Sequence, residues 1–194
     1  MNRLSLVVLA AGSSRRFGTA KQLADIGGMP MLQRVVNHCR EIMGIDLYVV
    51  LGANSDEIAS QIEFGEVRVL YSPNWPDGIG ATIASVATQL SDHYEGLMFI
   101  AGDQPLLGPS RLEPMINDWL VNRDLACCAK YDNTLGIPAI FPERLFAQLQ
   151  ALRGDSGARK LLMAEGDKLQ VFPVPEAKVD IDRPEDMEKL PITI

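Results

Sequence analysis

Leu6-Val7-Val8-Leu9-Ala10-Ala11-Gly12-Ser13-Ser14-Arg15-Arg16-Phe17-Gly18-Thr19-Ala20-Lys21 is the stretch whose reading decides the fold. The apolar run from Leu4 to Ala10 reads as a buried strand. It stops at Ala11-Gly12 and opens into a loop of small residues carrying Arg15, Arg16 and Lys21. Small residues let backbone N–H groups approach a ligand closely, and the cations supply charge for an anion. Directly after the first strand, such a loop predicts a polyphosphate site. The familiar phosphate loops do not fit. Gly12 and Gly18 enclose five residues and Thr19 follows the second glycine, unlike a Walker loop. Gly12-Ser13-Ser14 lacks the second glycine of a Rossmann fingerprint.

Outward from this stretch, strand-like and helix-like segments alternate. Apolar strands are expected at Leu47–Leu51, Val67–Tyr71 and Leu97–Ala101, with helices at Met31–Met43, Ser55–Ile62, Ile79–Leu90 and Ser110–Val121. Continuous apolar strands alternating with helices argue for a mostly parallel sheet covered on both faces. The second half departs from that rhythm. Short strands at Ala126–Lys130 and Ala139–Phe141 flank the turn-rich Tyr131–Gly136, followed by helices at Glu143–Leu152 and Gly157–Ala164 and a strand at Leu169–Pro173. This insertion suits a lid or acceptor-binding region, so one domain over residues 1–194 is expected.

With 194 residues, 47% hydrophobic and 22% charged, the chain is that of an ordinary α/β domain able to bury a sizeable core. A net charge of −7 argues against nucleic acid or an anionic membrane as a partner. An acidic protein that binds a polyphosphate must concentrate positive charge locally, as the loop from Arg15 to Lys21 does. No segment reads as a membrane span, and the start Met1-Asn2-Arg3-Leu4 lacks the pattern of a secretory leader. Cys39, Cys127 and Cys128 are odd in number and lack zinc spacing, which points to free thiols and a cytoplasmic setting.

Asp103 follows a wholly apolar strand, at the carboxyl end where open α/β sheets bind ligands, and Pro105 stiffens its turn. Near the end of the chain, Asp180 and Asp182 stand two residues apart on an extended segment, a spacing that points both carboxylates the same way. The same stretch also reads as a helix start, with Asp182 as cap and Glu185 as capping-box partner. After the third strand, Gly78 and Gly80 open a loop into the next helix and offer N–H donors at its start.

These pieces carry a resemblance. The stretch from Leu9 to Lys21 resembles Leu-x-Ala-Gly-x-x-x-Arg-Met-Gly-x-x-Lys, the signature of nucleotidyltransferases that activate sugars and cofactors with NTP, with Phe17 for the usual Met. Ala101-Gly102-Asp103-Gln104-Pro105 is similar to the turn with which that family holds magnesium. Asp182-Arg183-Pro184-Glu185-Asp186 resembles the Asp-Thr-Pro-Glu-Asp segment of CMP-sugar synthetases and molybdenum-cofactor nucleotidyltransferases. The molybdenum cofactor cytidylyltransferase branch is the nearest pattern. It shares the loop at Gly78, although Pro73-Asn74 is reversed, Ile79 stands for Met and Thr82 for Ser. It also shares Gly136-x-Pro138-x-x-Phe141, with Ile137 where that branch often has His, and Gly154-Asp155-Ser156-Gly157-Ala158-Arg159. Ala10-Ala11-Gly12, rather than Ala-Gly-Gly, favours the cytidylyl branch over the guanylyl one.

The resemblance implies a three-layer α/β/α, Rossmann-like fold of the nucleotide-diphospho-sugar transferase type, its central sheet mostly parallel, with a small inserted β element. It implies transfer of CMP from CTP to the phosphate of molybdopterin with release of pyrophosphate, and a molybdenum hydroxylase or its chaperone as partner. Arg15, Lys21 and Asp103 are the expected catalytic residues. The nucleotide is expected on Leu9, Ala10, Ala11, Gly12, Arg15, Lys21, Gly78, Gly80, Thr82 and Asp103, and the acceptor on Gly136, Pro138, Asp155 and Arg159. Mg2+, with Mn2+ as a substitute, is expected on Asp103 and on Asp182 or Asp180. Arg16 receives no role. Two other readings stand beside this one: a nucleotidyltransferase for a different small phosphorylated acceptor, and a non-catalytic carrier of a nucleotide cofactor.

Overall fold

The computed structural model describes residues 3–190; Met1 and Asn2, at the start scanned for a leader, and residues 191–194 lie outside them. Seven strands form one sheet: β1 (Leu4–Ala10), β2 (Asp46–Leu51), β3 (Arg68–Tyr71), β4 (Gly96–Ala101), β5 (Ala126–Tyr131), β6 (Thr134–Pro142) and β7 (Leu169–Pro173). Their order across the sheet is β3-β2-β1-β4-β6-β5-β7. β6 runs antiparallel to both β4 and β5, and the remaining pairings are parallel. The helices are α1 (Met31–Arg40), α2 (Ser55–Gln61), α3 (Ile79–Leu90), α4 (Pro109–Val121), α5 (Phe146–Gln150) and α6 (Arg159–Ala164).

The period-two alternation of strand side chains divides the core into two layers. Leu4, Leu6, Val8 and Ala10 of β1 face α1, α2 and α4, where Leu32, Val36, Ile58, Leu112 and Trp119 are buried. Val7 and Leu9 face the other way, onto Ile83, Val86 and Ala87 of α3 and Leu149 of α5. Both faces are covered, which is why β4 and, apart from Ser5, β1 read as continuous apolar runs. At about 25 cal/mol per Å² of apolar surface, each buried Leu, Ile or Phe contributes about 1.5–3 kcal/mol before conformational entropy is set against it. The expected three-layer α/β/α architecture with a mostly parallel sheet is the one observed.

Local boundaries differ by more than one residue in four places. The helix from Met31 stops at Arg40, short of Met43. Gly44 adopts a left-handed φ of 78° just beyond, and Met43 is left exposed, so the apolar spacing overran the helix. The turn-rich Tyr131–Gly136 is the tip of a β-hairpin: Tyr131 pairs with Thr134, and Asp132 takes the positive φ of 50° that the turn needs. β6 is therefore longer than Ala139–Phe141, and the inserted element is woven into the main sheet. The helix expected from Glu143 to Leu152 divides into a 3-10 turn, Glu143–Leu145, and α5. The helix expected from Gly157 begins at Arg159.

This topology fixes where a ligand can sit. From β1 the chain steps outward to β2 and β3, then returns to place β4 on the other side of β1. The carboxyl ends of β1 and β4 flank that reversal, the position at which open α/β sheets leave a crevice.

Candidate functional site

The loop after β1 is held in shape by its own side chains. Gln22, buried in the 3-10 helix Lys21–Leu23, donates through Nε2 to the carbonyls of Ala10 (2.9 Å) and Gly12 (3.1 Å). Ser14 donates from Oγ to Gln22 Oε1 at 3.1 Å, and its Oγ accepts from the Lys21 amide at 3.2 Å. Tied in this way, the loop presents small residues to the cavity. A Cβ placed on Gly12 would meet nothing within 4 Å, so the space above it is open to a ligand. Gln22 went unread in the sequence, because a single amide after Lys21 has no periodicity and no charge to mark it.

Lys21 is the centre of the site. Its Nζ donates to Asp103 Oδ2 at 2.5 Å and to Asp182 Oδ1 at 2.9 Å, with only 13% of the lysine side chain exposed. Arg16 reaches the other oxygen, Asp182 Oδ2, at 2.6 Å. Burial pulls the lysine pKa down, but the two carboxylates outweigh it and hold the ammonium above its ordinary value. Burial raises the Asp103 carboxyl above the usual carboxylate range; Lys21 works against that shift, and the charges of Asp180 and Asp182 reinforce it.

Asp103 and Asp182 meet because two distant segments are laced together. The backbone N–H of Ile181 donates to the Asp103 carbonyl at 3.0 Å, and Gln104 Nε2 donates to the Ala177 carbonyl at 2.7 Å. Ile181 is itself buried against Met31 and Ile26, packed by Phe17 from the loop after β1. The capping partner at the start of the 3-10 helix Pro184–Lys189 is Asp186, not Glu185, and the cap position is Arg183, not Asp182. Asp186 accepts from the backbone N–H groups of Asp182 (3.0 Å) and Arg183 (2.8 Å), which leaves the Asp182 side chain free for Lys21.

Around this centre lies a cavity of about 440 Å³. Of the residues expected at the nucleotide, Leu9, Ala10, Ala11, Gly12, Arg15, Lys21, Gly78, Thr82 and Asp103 line it; Gly80 does not, being covered by the Gly154 carbonyl. Of those expected at the acceptor, Asp155 lines it, whereas Gly136, Pro138 and Arg159 do not. The period of the strand accounts for part of this: Gly136 and Pro138 share one face of β6, and Ile137 between them turns to the cavity. Gly136 lies instead against Tyr131, where a Cβ would stand 2.7 Å from the phenol oxygen. Burial pushes that phenol pKa up, with the charge of Asp180 adding and that of Arg159 opposing. Of the two candidate second ligands, Asp182 shares Lys21 and lines the cavity, and Asp180 is exposed outside it.

Arg15 is exposed and lines the cavity with no ion pair among the described residues. Arg16 also lines the cavity. It is the arginine directly before Phe17-Gly18, the place the signature reserves for its arginine, and its contact with Asp182 was not foreseen. Trp75, Pro76 and Ile79 complete the wall at the start of α3.

A cavity across the reversal of an α/β sheet, floored by exposed backbone and walled by cations and carboxylates, is a candidate nucleotide site. The chain belongs to the family of the MobA-like NTP transferase domain, which it matches over residues 6–169. Among curated relatives, it is 28% identical over 117 residues to the bifunctional protein GlmU of Coxiella burnetii, a match covering 59% of this chain and 25% of GlmU. It is 26% identical over 141 residues to a probable molybdenum cofactor guanylyltransferase of Pyrococcus horikoshii, covering 68% of this chain and 64% of that protein. The chain thus spans about a quarter of GlmU, and less than two thirds of the guanylyltransferase. The fold is shared with Rv0371c of Mycobacterium tuberculosis H37Rv at a TM-score of 0.84 and 24% identity, over 97% of this chain and 96% of that one. A manganese complex of Rv0371c superposes at a TM-score of 0.81 and 21% identity, over 99% and 100% of the two chains. No helix among the described residues is long and apolar enough to cross a membrane.

Proposed function

We propose that this protein transfers a nucleotidyl group from a nucleoside triphosphate to the phosphate of a small acceptor, with CTP as donor and molybdopterin as acceptor. The observation that carries the reading is the Lys21 ammonium shared between Asp103 and Asp182 beneath the loop after β1. Three segments far apart in the chain bring charge to one point, at the sheet edge where the fold binds ligands.

An oxygen of the acceptor phosphate attacks the α-phosphorus of the triphosphate, and the bond to pyrophosphate breaks. That oxygen is already ionised at neutral pH, so the reaction needs no general base and the cavity needs no histidine. The chain supplies position and charge. Backbone of the loop from Ala10 to Ser14 lies under the nucleotide, and Arg15 and Lys21 meet the charge on the transferred and leaving phosphates. Asp103 and Asp182 fit a hard divalent ion, Mg2+ or Mn2+: two oxygen donors already converge on one cation, the ammonium of Lys21. No group of three His, Cys, Asp or Glu residues among the described ones could complete the shell, so phosphate oxygens and water would do so. When bound, such an ion neutralises charge on the triphosphate. Three buried free thiols support a reducing, cytoplasmic setting.

The preference for CTP rests on Ala10-Ala11-Gly12 at the cavity floor, and that for molybdopterin on the Gly154–Arg159 pattern. One observation favours a different phosphorylated acceptor: apolar Ile137 lines the cavity where the cytidylyl branch often has histidine. The test is pyrophosphate release with CTP or GTP, each with molybdopterin, a sugar phosphate or a polyol phosphate, in the presence of magnesium. Release with CTP and molybdopterin alone is the expected result. Release only with GTP moves the donor, release only with another acceptor moves the acceptor, and no release with any pair defeats the enzyme.

A further inference from the structure

The two walls of the cavity come from opposite faces of the sheet and differ in charge: Arg15, Arg16 and Lys21 stand with Asp103 and Asp182 on one, and the Asp155 carboxylate stands on the other. Lys21 follows Ala20, which is buried in the layer of α1 and α4, and Arg16 reaches the same side through Asp182. The facing wall belongs to the layer of α3 and α5. There, residues 153–157 lie directly on the first turn of α3. The Gly80 N–H donates to the Gly154 carbonyl at 2.8 Å. A Cβ on Gly80 would stand 2.6 Å from the Ser156 carbonyl oxygen and 2.8 Å from that of Gly154. Gly78, at a left-handed φ of 97°, touches the same loop: its Cβ would collide with Asp155 Oδ1 and lie 2.6 Å from the Gly154 carbonyl oxygen. Only glycine permits this approach at both positions.

The approach delivers Asp155 to the cavity. Its carboxylate lines the wall beside Gly78, Ile79 and Thr82, and it makes no hydrogen bond or ion pair with any described side chain. An unpaired carboxylate is the wrong neighbour for a triphosphate and a good one for neutral N–H donors. The phosphates belong with Lys21 and Arg15, so the nucleoside end of the ligand falls to Asp155. A sugar or acceptor phosphate held here would meet like charge.

We propose that Asp155 is a specificity-determining residue of the nucleotide, whose carboxylate accepts a hydrogen bond from the exocyclic amine of the base. It thereby selects bases that carry an amine over those that lack it. This rests on the nucleotidyl-transfer reading, and moves Asp155 from the acceptor side to the nucleotide side. The role holds for cytosine and guanine alike, since both carry such an amine.

The test is calorimetric binding without acceptor, in excess magnesium, of CTP against UTP, GTP against ITP, and CTP against 2′-deoxy-CTP. Wild type, Asp155→Asn and Asp155→Ala are compared; the residue is exposed, so both variants fold. Wild type is expected to bind the amine-bearing member of its preferred pair roughly tenfold or more tightly. Asp155→Ala should shrink that ratio toward one, and Asp155→Asn, whose amide oxygen can still accept, should shrink it less, with no change in the 2′-deoxy comparison. Unchanged ratios, with nucleotide still bound, overturn the proposal and leave nucleotidyl transfer standing. Loss confined to the 2′-deoxy comparison means a ribose contact, and also overturns it. Failure of the wild type to bind any nucleotide overturns both.

Discussion

The cavity wall at Lys21 and the wall at Gly78 border one space but keep their shape by different means. At Lys21, charge does the holding: one ammonium bridges two carboxylates, and Arg16 takes the remaining oxygen of Asp182. At Gly78, clearance does it, because two missing side chains let residues 153–157 settle on α3. Substitutions at the first wall should change electrostatics with little backbone movement. Substitutions at the second should move backbone with no change of charge. The two can therefore be broken separately.

The largest effect is expected from Asp103→Asn. The amide keeps the shape and can still accept from Lys21, but one of the two carboxylates that would hold the divalent ion is gone. Turnover measured as pyrophosphate release should fall roughly 10²–10³-fold, with the circular dichroism spectrum unchanged. Activity within threefold of wild type would place the chemistry elsewhere. Gly80→Val comes next and strikes the other wall. Its branched side chain would enter space 2.6–3.0 Å from the carbonyls of Ser156, Gly154 and Arg153, which are backbone and cannot swing away. Overpacking of this kind costs about 1–3 kcal/mol, read as a shifted urea midpoint. Nucleotide affinity should fall with it, while the saturating rate stays near wild type because Lys21 and Asp103 are untouched. A fall in rate with affinity intact would reverse the assignment of the two walls.

The same contrast explains what the sequence made legible. The parallel half of the sheet and the loop after β1 announce themselves, since burial on both faces leaves apolar runs such as Leu6–Ala10 and Leu97–Ala101. Asp103 was visible from its place at the end of such a run. The full length of β6 was not, because between the hairpin tip and Ala139 the strand runs through Gly136 and Pro138, residues that depress strand signals. Contacts between distant segments were also silent. Arg16 had no readable role until the chain brought Asp182 to it across 166 positions. Local spacing favoured Glu185 as the capping partner, and tertiary geometry chose Asp186. Ile137, Gly136 and Pro138 share one motif, but strand pleating sends them to different sides, which a linear pattern cannot display.

A smaller effect is expected where the charge-held wall is laced to its support. Gln104 is buried, with Nε2 on the Ala177 carbonyl at 2.7 Å and Oε1 without a hydrogen-bond partner among the described residues. Gln104→Leu removes one donor, but also removes that orphaned acceptor. The two changes oppose each other, and the net loss should be about 1 kcal/mol. The specific sign is a weaker apparent affinity for Mn2+, followed by its paramagnetic resonance signal, since the segment carrying Asp182 is no longer pinned beside Asp103. Unchanged Mn2+ binding would make Gln104 a core residue only.

The smallest effect separates the two arginines. Arg16 pairs with Asp182 at 2.6 Å, yet 64% of its side chain is exposed, so Arg16→Ala should cost less than about 1 kcal/mol. That cost should shrink as salt is added, because exposed pairs are screened. Arg15 has no such partner, so Arg15→Ala should leave the melting temperature unchanged at every salt concentration. Their order reverses when nucleotide affinity is measured. Arg15 is free to meet a phosphate, whereas Arg16 is already spent on Asp182, and freeing that carboxylate compensates for the lost cation. Arg15→Ala should therefore weaken CTP binding more than Arg16→Ala does. The opposite order would mean that Arg16 leaves Asp182 when nucleotide arrives, and that the wall at Lys21 is rebuilt on binding rather than held ready.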